Sequence, residues 1–186
     1  MRKKRLDVYT LSFMAVLAAM VYIVTLLRFP LLGSKVHFAN AVCLLAGMLL
    51  GPVHGGIAAG LGSAIYDLQT GYDLVNVLIT FVSKFAMAWV CGMLMWKRGK
   101  PDEKSYVHCC LASVAGSLTY VALYMVKTFI YQRFVYSFAM DAVWATMLSK
   151  LIPSLINAAV SVAAAPILFR ALLPPLRSSG TLARLW

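Results

Sequence analysis

Apolar runs of about 20 residues, almost free of charge, recur along nearly the whole of this chain. A helix needs about 20 such residues to cross the ~30 Å hydrocarbon layer of a bilayer. Six runs of this kind, near residues 8–27, 37–50, 56–70, 74–96, 106–131 and 142–173, consume most of the 186 residues and leave no room for a soluble domain. With 62% apolar and 12% charged residues, the composition is far from the roughly 25% charged of soluble proteins. The expectation is an all-α integral membrane protein, one six-helix transmembrane domain over residues 1–186.

The second and third runs flank Gly51 to Gly56 (GPVHGG) and predict a helical hairpin. The first run has polar groups only at its start, His37 and Asn40, and the second only at its end, Asp67 and Gln69. Folding the hairpin therefore brings all four to one end. Small residues four apart in the second run (Gly56 and Gly60, Ala58 and Gly62, Ala59 and Ser63) let neighbouring backbones approach closely. The Pro/Gly segment Phe29 to Lys35 reads as a loop with apolar side chains, folded down over something. Pro153 and Pro166 interrupt the last run, which Pro174 and Pro175 end.

The net charge of +11 would suggest nucleic acid in a soluble protein, but here its distribution points to the membrane surface and to no nucleic-acid partner. Eleven Lys and Arg lie on the side that holds the termini (Arg2 to Arg5, the Lys97 to Lys104 turn, Arg170, Arg177 and Arg184), against Arg28, Lys35 and Arg133 on the other. The positive-inside rule then places both termini in the cytoplasm. The first apolar run is too long for a secretory signal and has no small-residue cleavage site after Thr25, so it reads as a retained span. The four cysteines lack CxxC spacing and read as reduced packing residues; His54 and His108 fall at cytoplasmic turns.

With that orientation, a rise of about 1.5 Å per residue puts the intramembrane polar residues in the outer half. Lys84, Lys127 and Lys150 join Asn40, Asp67, Asn76 and Asn157 there. A charge at mid-membrane costs about 3 to 10 kcal/mol, so three lysines and an aspartate from different helices point to a shared polar pocket open to the outside. Tyr66, Tyr72, Tyr120 and Tyr124 are available to stack on a ligand ring. Two alternatives stay open: Lys127 could snorkel to the interface, and Lys84 and Lys150 could pair with Asp67 or Asp141 as structural ion pairs. No phosphate loop, HExxH, GxSxG or paired acidic motif offers a catalytic site or an energy source, and no inverted repeat suggests a self-sufficient transporter. The chain reads as a non-enzyme without a metal.

The whole chain resembles the substrate-binding membrane subunit (S component) of an energy-coupling factor (ECF) vitamin transporter. The likeness rests on length, six spans, the pair Ala15 and Ala19 that matches the family's AxxxA motif, and the stretch HFANAVCLLAGMLLGPVHGGIAAGLGSAIYDL followed by SKFAMAW at Ser83 to Trp89. These resemble the riboflavin-like branch, which includes proteins assigned to hydroxymethylpyrimidine or pyridoxine uptake. The resemblance implies a multi-pass protein of the bacterial cell membrane that binds one vitamin. It implies a gating loop at Phe29, Pro30, Leu31, Leu32 and Gly33, and docking onto a membrane coupling (T) subunit through Ala15 and Ala19, whose small-residue face Ala18 widens unless that face packs within the chain. Two cytoplasmic ATPase subunits would hydrolyse ATP, and this chain would carry no cofactor. The competing reading is a non-transporting membrane scaffold held by internal ion pairs. Three buried lysines suggest a smaller ligand than riboflavin, with anionic or strongly accepting groups, unless ion pairing neutralises them.

Overall fold

The computed structural model describes residues 7–31, 34–97, 100–102 and 105–185. Helix α1 spans Val8–Leu26, α2 Ala39–Gln69, α3 Leu74–Met95, α4 Tyr106–Ile130, α5 Met140–Ser178 and the short α6 Thr181–Leu185. A π-helical turn, Tyr131–Val135, continues α4. Among the described residues five helices are long and apolar enough to cross a membrane, against the six spans expected from the sequence, because the second and third runs form one element folded in two.

The fold in α2 occurs at Gly51, whose φ of +80° and ψ of −178° lie in a region open essentially to glycine alone. In a straight helix residues 46 and 55 would be about 13 Å apart, yet a Cβ built on Gly55 would lie 2.4 Å from the Ala46 carbonyl oxygen and 2.6 Å from the Gly47 Cα. The chain has reversed. The turn is shorter than the expected Gly51 to Gly56, since Pro52 already starts the second arm. There the missing N–H costs nothing and the fixed φ suits a helix. The first arm, residues 39–50, rises only about 18 Å, less than the hydrocarbon thickness. It is buried on every side, so it forms the centre of the bundle and shows no face to lipid.

Other departures from the sequence reading have simple physical causes. The segment expected to be a loop after α1 contains two antiparallel strands, β1 (Arg28–Leu31) and β2 (Ser34–His37), with Arg28 opposite His37. His37 therefore closes a strand and does not begin a helix. The charged turn after α3 likewise pairs β3 (Trp96–Lys97) with β4 (Lys100–Pro101). Helix α5 runs unbroken through Pro153 and Pro166 and passes Pro174 and Pro175 to Ser178; in membrane bundles neighbouring groups can satisfy the carbonyls that proline frees.

Tyr9 donates a hydrogen bond to Thr181 Oγ1 at 2.9 Å, so the start of α1 and α6 lie together. Leu185 shares a buried apolar cluster with Leu50, the residue before the Gly51 turn. Trp96 Nε1 donates to the Met48 carbonyl at 2.8 Å and anchors the end of α3 at that same end. The core there is apolar, built around Leu44, Leu45, Met48, Met87, Met95 and Phe169. The connections α1–α2, α2–α3 and α4–α5 gather at the opposite end.

Candidate functional site

Lys84 lies eleven residues into α3 and is 4% exposed; among the described residues it is the one charged side chain so deeply buried. A buried ammonium needs compensation, and two neutral groups provide part of it. Lys84 Nζ donates to Asn40 Oδ1 at the start of α2 and sits 3.8 Å from the centre of the Tyr120 ring of α4, where the face of the ring attracts a cation. No carboxylate of the described residues lies within 4 Å of the Lys84, Lys127 or Lys150 ammonium groups. Asp141, one of the two suggested ion-pair partners, is exposed.

Lys84 lines a cavity of about 410 Å³, within the range of small-ligand sites. Of the seven residues proposed from sequence, six line this space: Asp67 from α2, Asn76 and Lys84 from α3, Lys127 from α4, Lys150 and Asn157 from α5. Asn40 stands behind Lys84 and acts on the cavity through it. Tyr66, Tyr72, Tyr120 and Tyr124 all line it too, and the last two stack at 6.2 Å and 15°. Lys127 is half-buried, with its ammonium 5.6 Å from the centre of the Tyr131 ring.

The sequence reading missed the hydroxyls Thr25, Ser63, Thr80, Thr128 and Ser154, and the wall formed by Tyr131 and Gln132 of the π-helical turn and by Tyr136 just after it. Hydroxyls are hard to find in advance because they can satisfy themselves on their own helix, as Thr128 does on the Tyr124 carbonyl at 2.8 Å and Ser154 on the Lys150 carbonyl at 2.8 Å. Gln132 carries a better signal: its Oε1 is buried with no partner among the described residues, and buried polar atoms are otherwise nearly always bonded. A π-helical turn at such a wall is a frequent mark of function.

The rim is organised by Asp73, which caps α3. Its Oδ2 accepts from Asn76 N at 3.2 Å and its Oδ1 from the Asn76 side chain. The Asn76 side-chain bond holds the Asp73 carboxyl below its ordinary pKa, and the same bond fixes the Asn76 amide at the cavity wall. Tyr22 donates to Gln69 Oε1, tying α1 to the end of α2.

On α1, Ala15 and Ala19 are both exposed, while Met14, Leu17 and Val21 face the bundle. Ala18, expected to widen the small-residue strip, instead packs inward: its carbonyl oxygen lies 2.3 Å from a Cβ built on Gly62. Of the expected gating residues, Leu32 and Gly33 lie outside the described residues, and Phe29, Pro30 and Leu31 fall within β1. The four cysteines are free, three of them buried. His108, expected at a cytoplasmic turn, lies in the first turn of α4, with Nε2 2.7 Å from the Leu94 carbonyl oxygen, and joins α4 to α3.

A solved structure described as the S component of a bacterial ECF transporter has the same fold, with a TM-score of 0.68 at 17% identity over 90% of this chain and 96% of that one. No curated protein matches the sequence. The family model for the ECF-type riboflavin transporter S component matches residues 5–173. A polar chamber in a multi-pass helical bundle fits that match, and the chain belongs to the ECF-type riboflavin transporter S component family, a family of substrate-binding transporter subunits rather than an enzyme family.

Proposed function

We propose that the chain captures a small water-soluble vitamin or vitamin precursor, of the pyridoxine, hydroxymethylpyrimidine or riboflavin kind, in the Lys84 chamber. The chamber end faces outside and the two chain ends face the cytoplasm, in keeping with the bias of Lys and Arg toward the termini. The observation that carries this reading is the asymmetry of the bundle: side chains of α2, α3, α4 and α5 converge on one polar cavity, above an apolar core. A closed floor gives a bound solute no path through the chain, so inward delivery requires the whole subunit to reorient on a partner.

That partner is a membrane coupling subunit driven by two ATP-hydrolysing subunits, and α1 offers it the exposed Ala15 and Ala19 face. This chain itself needs neither ATP nor another cofactor. A scaffold stabilised by internal ion pairs is less well supported, because the three chamber lysines have no carboxylate within 4 Å among the described residues.

Mass spectrometry of small molecules that co-purify with the chain, followed by titration of the recovered compound, tests the proposal. A heterocycle should be recovered, and Lys84→Ala and Asp67→Ala should each weaken its binding while the protein stays folded. Unchanged affinity in both variants would remove the site assignment.

A further inference from the structure

Resting on the substrate-capture reading above, we infer that the ligand of this chamber is an anion: a small heteroaromatic ring that bears a carboxylate or a phosphate ester, with the negative group seated at Lys84 and Lys150 among the cavity's other cations. Three lysines and one carboxylate, Asp67, line the cavity, an excess of two positive charges. Asp73, outside the lining, also bears on Lys127 together with Asp67. Counting it, three cations still face two anions, and both carboxylates act at the Lys127 side. Lys150 bears on Lys127 as well, so the lysine left without a counter-charge among the described residues is Lys84.

Lys84 shows why this matters. Its ammonium has three donors; one is taken by the Asn40 amide oxygen and the charge leans on the Tyr120 ring. Both partners are neutral. The remaining capacity opens on the cavity that Lys84 lines. In the empty chamber water can hydrate it. A neutral ligand that fills the space displaces that water and leaves an ammonium buried with nothing opposite, which is costly. A carboxylate or phosphate replaces the water with a charge-assisted hydrogen bond, shorter and roughly twice as strong as a neutral one. The same displacement that penalises a neutral solute therefore favours an anion. Gln132 Oε1, buried and unpartnered among the described residues, offers an acceptor to a ring N–H or hydroxyl on the same ligand.

The test uses the full chain in nanodiscs and two matched pairs of probes, titrated calorimetrically at low and at physiological salt. Pyridoxine against 4-pyridoxate asks about a carboxylate, and riboflavin against flavin mononucleotide asks about a phosphate. The expected result is that at least one anion binds about tenfold or more tightly than its neutral parent. Lys84→Gln, which can still bond Asn40, should cut that preference to about threefold or less. Lys150→Gln, at a less buried position, is the second variant should Lys84→Gln fail to fold. Tighter or equal binding of both neutral parents, binding of neither anion, or an anion preference that survives both substitutions overturns the inference. Neutral parents that bind as tightly as their anions, or more tightly, in both pairs overturn the charge assignment alone and uphold substrate capture. If no probe binds and no small molecule is recovered from the purified chain, both fall.

Discussion

The reversal of α2 rests on one residue, and Gly51→Ala measures how much. At φ +80° and ψ −178° a residue with a Cβ is strained by about 1–3 kcal/mol. The new methyl also has no room: a Cβ at Gly51 would lie 3.0 Å from Trp96 Cε2 and 3.1 Å from Cδ2. Trp96 cannot simply step aside, since its Nε1 bonds the Met48 carbonyl at 2.8 Å, and giving up such a bond costs about 1 kcal/mol. The sum is about 2–4 kcal/mol, or roughly 4–16 °C in melting temperature for a chain of this size. Three buried free cysteines, Cys43, Cys91 and Cys109, supply the assay, because a thiol-reactive fluorophore reports their exposure on heating in detergent. Gly71→Ala is the control: it also has a positive φ, +79°, but nothing lies within 4 Å of the built Cβ, so only a backbone cost of about 1–2 kcal/mol applies. If Gly51→Ala melts no lower than Gly71→Ala, the hairpin does not depend on this turn as argued.

Further tests address the chamber, the rim and α1. Asn40→Ala removes the bond that positions Lys84 without touching the cavity lining; ligand affinity should fall about tenfold, read by titration, with the fold retained by circular dichroism. Gly62→Ala should destabilise by about 1–3 kcal/mol, because its Cβ would meet the Ala18 carbonyl oxygen at 2.3 Å, whereas the exposed Ala19→Leu should stay within about 0.5 kcal/mol and instead lose co-purification with the coupling subunit. The Asp73 carboxyl is held below its ordinary value of 3.8, so the cap's contribution is complete above that pH and is lost as the pH falls through the lower folded value. Melting curves of the native chain and Asp73→Ala should therefore differ by a constant amount well above pH 3.8 and draw together as the pH falls below it; a gap that widens on acidification refutes the role of the ionised cap.

The depth of each polar residue could be read from the sequence because rise along a helix is a one-dimensional quantity. Lys84, Lys127, Lys150, Asp67, Asn76 and Asn157 were placed near one end by counting, and the structure brings all six to one cavity. Counting says nothing about azimuth. Whether Lys84 meets Asp67, as one alternative had it, or Asn40 and Tyr120, as observed, depends on how α2 and α3 are rotated against each other. That rotation is set by contacts such as Gly47 on the Ala88 backbone. The same limit explains Ala18, which spacing alone assigned to the exposed strip and packing turned toward Gly62.

Apolar run length and the bias of basic residues thus determined, from sequence alone, a multi-pass helical bundle with its polar groups gathered at one depth. Only the tertiary structure decided that the central element folds back at a single glycine with its first arm buried on all sides, that α5 continues unbroken past its prolines, and that strands follow α1. It also decided which neutral groups hold the deepest lysine. Hydrophobic transfer and helix rise act on each segment separately and leave their mark in the sequence. Helix rotation, close backbone approach and the pairing of buried polar atoms exist only between segments, and they appear once those segments have met.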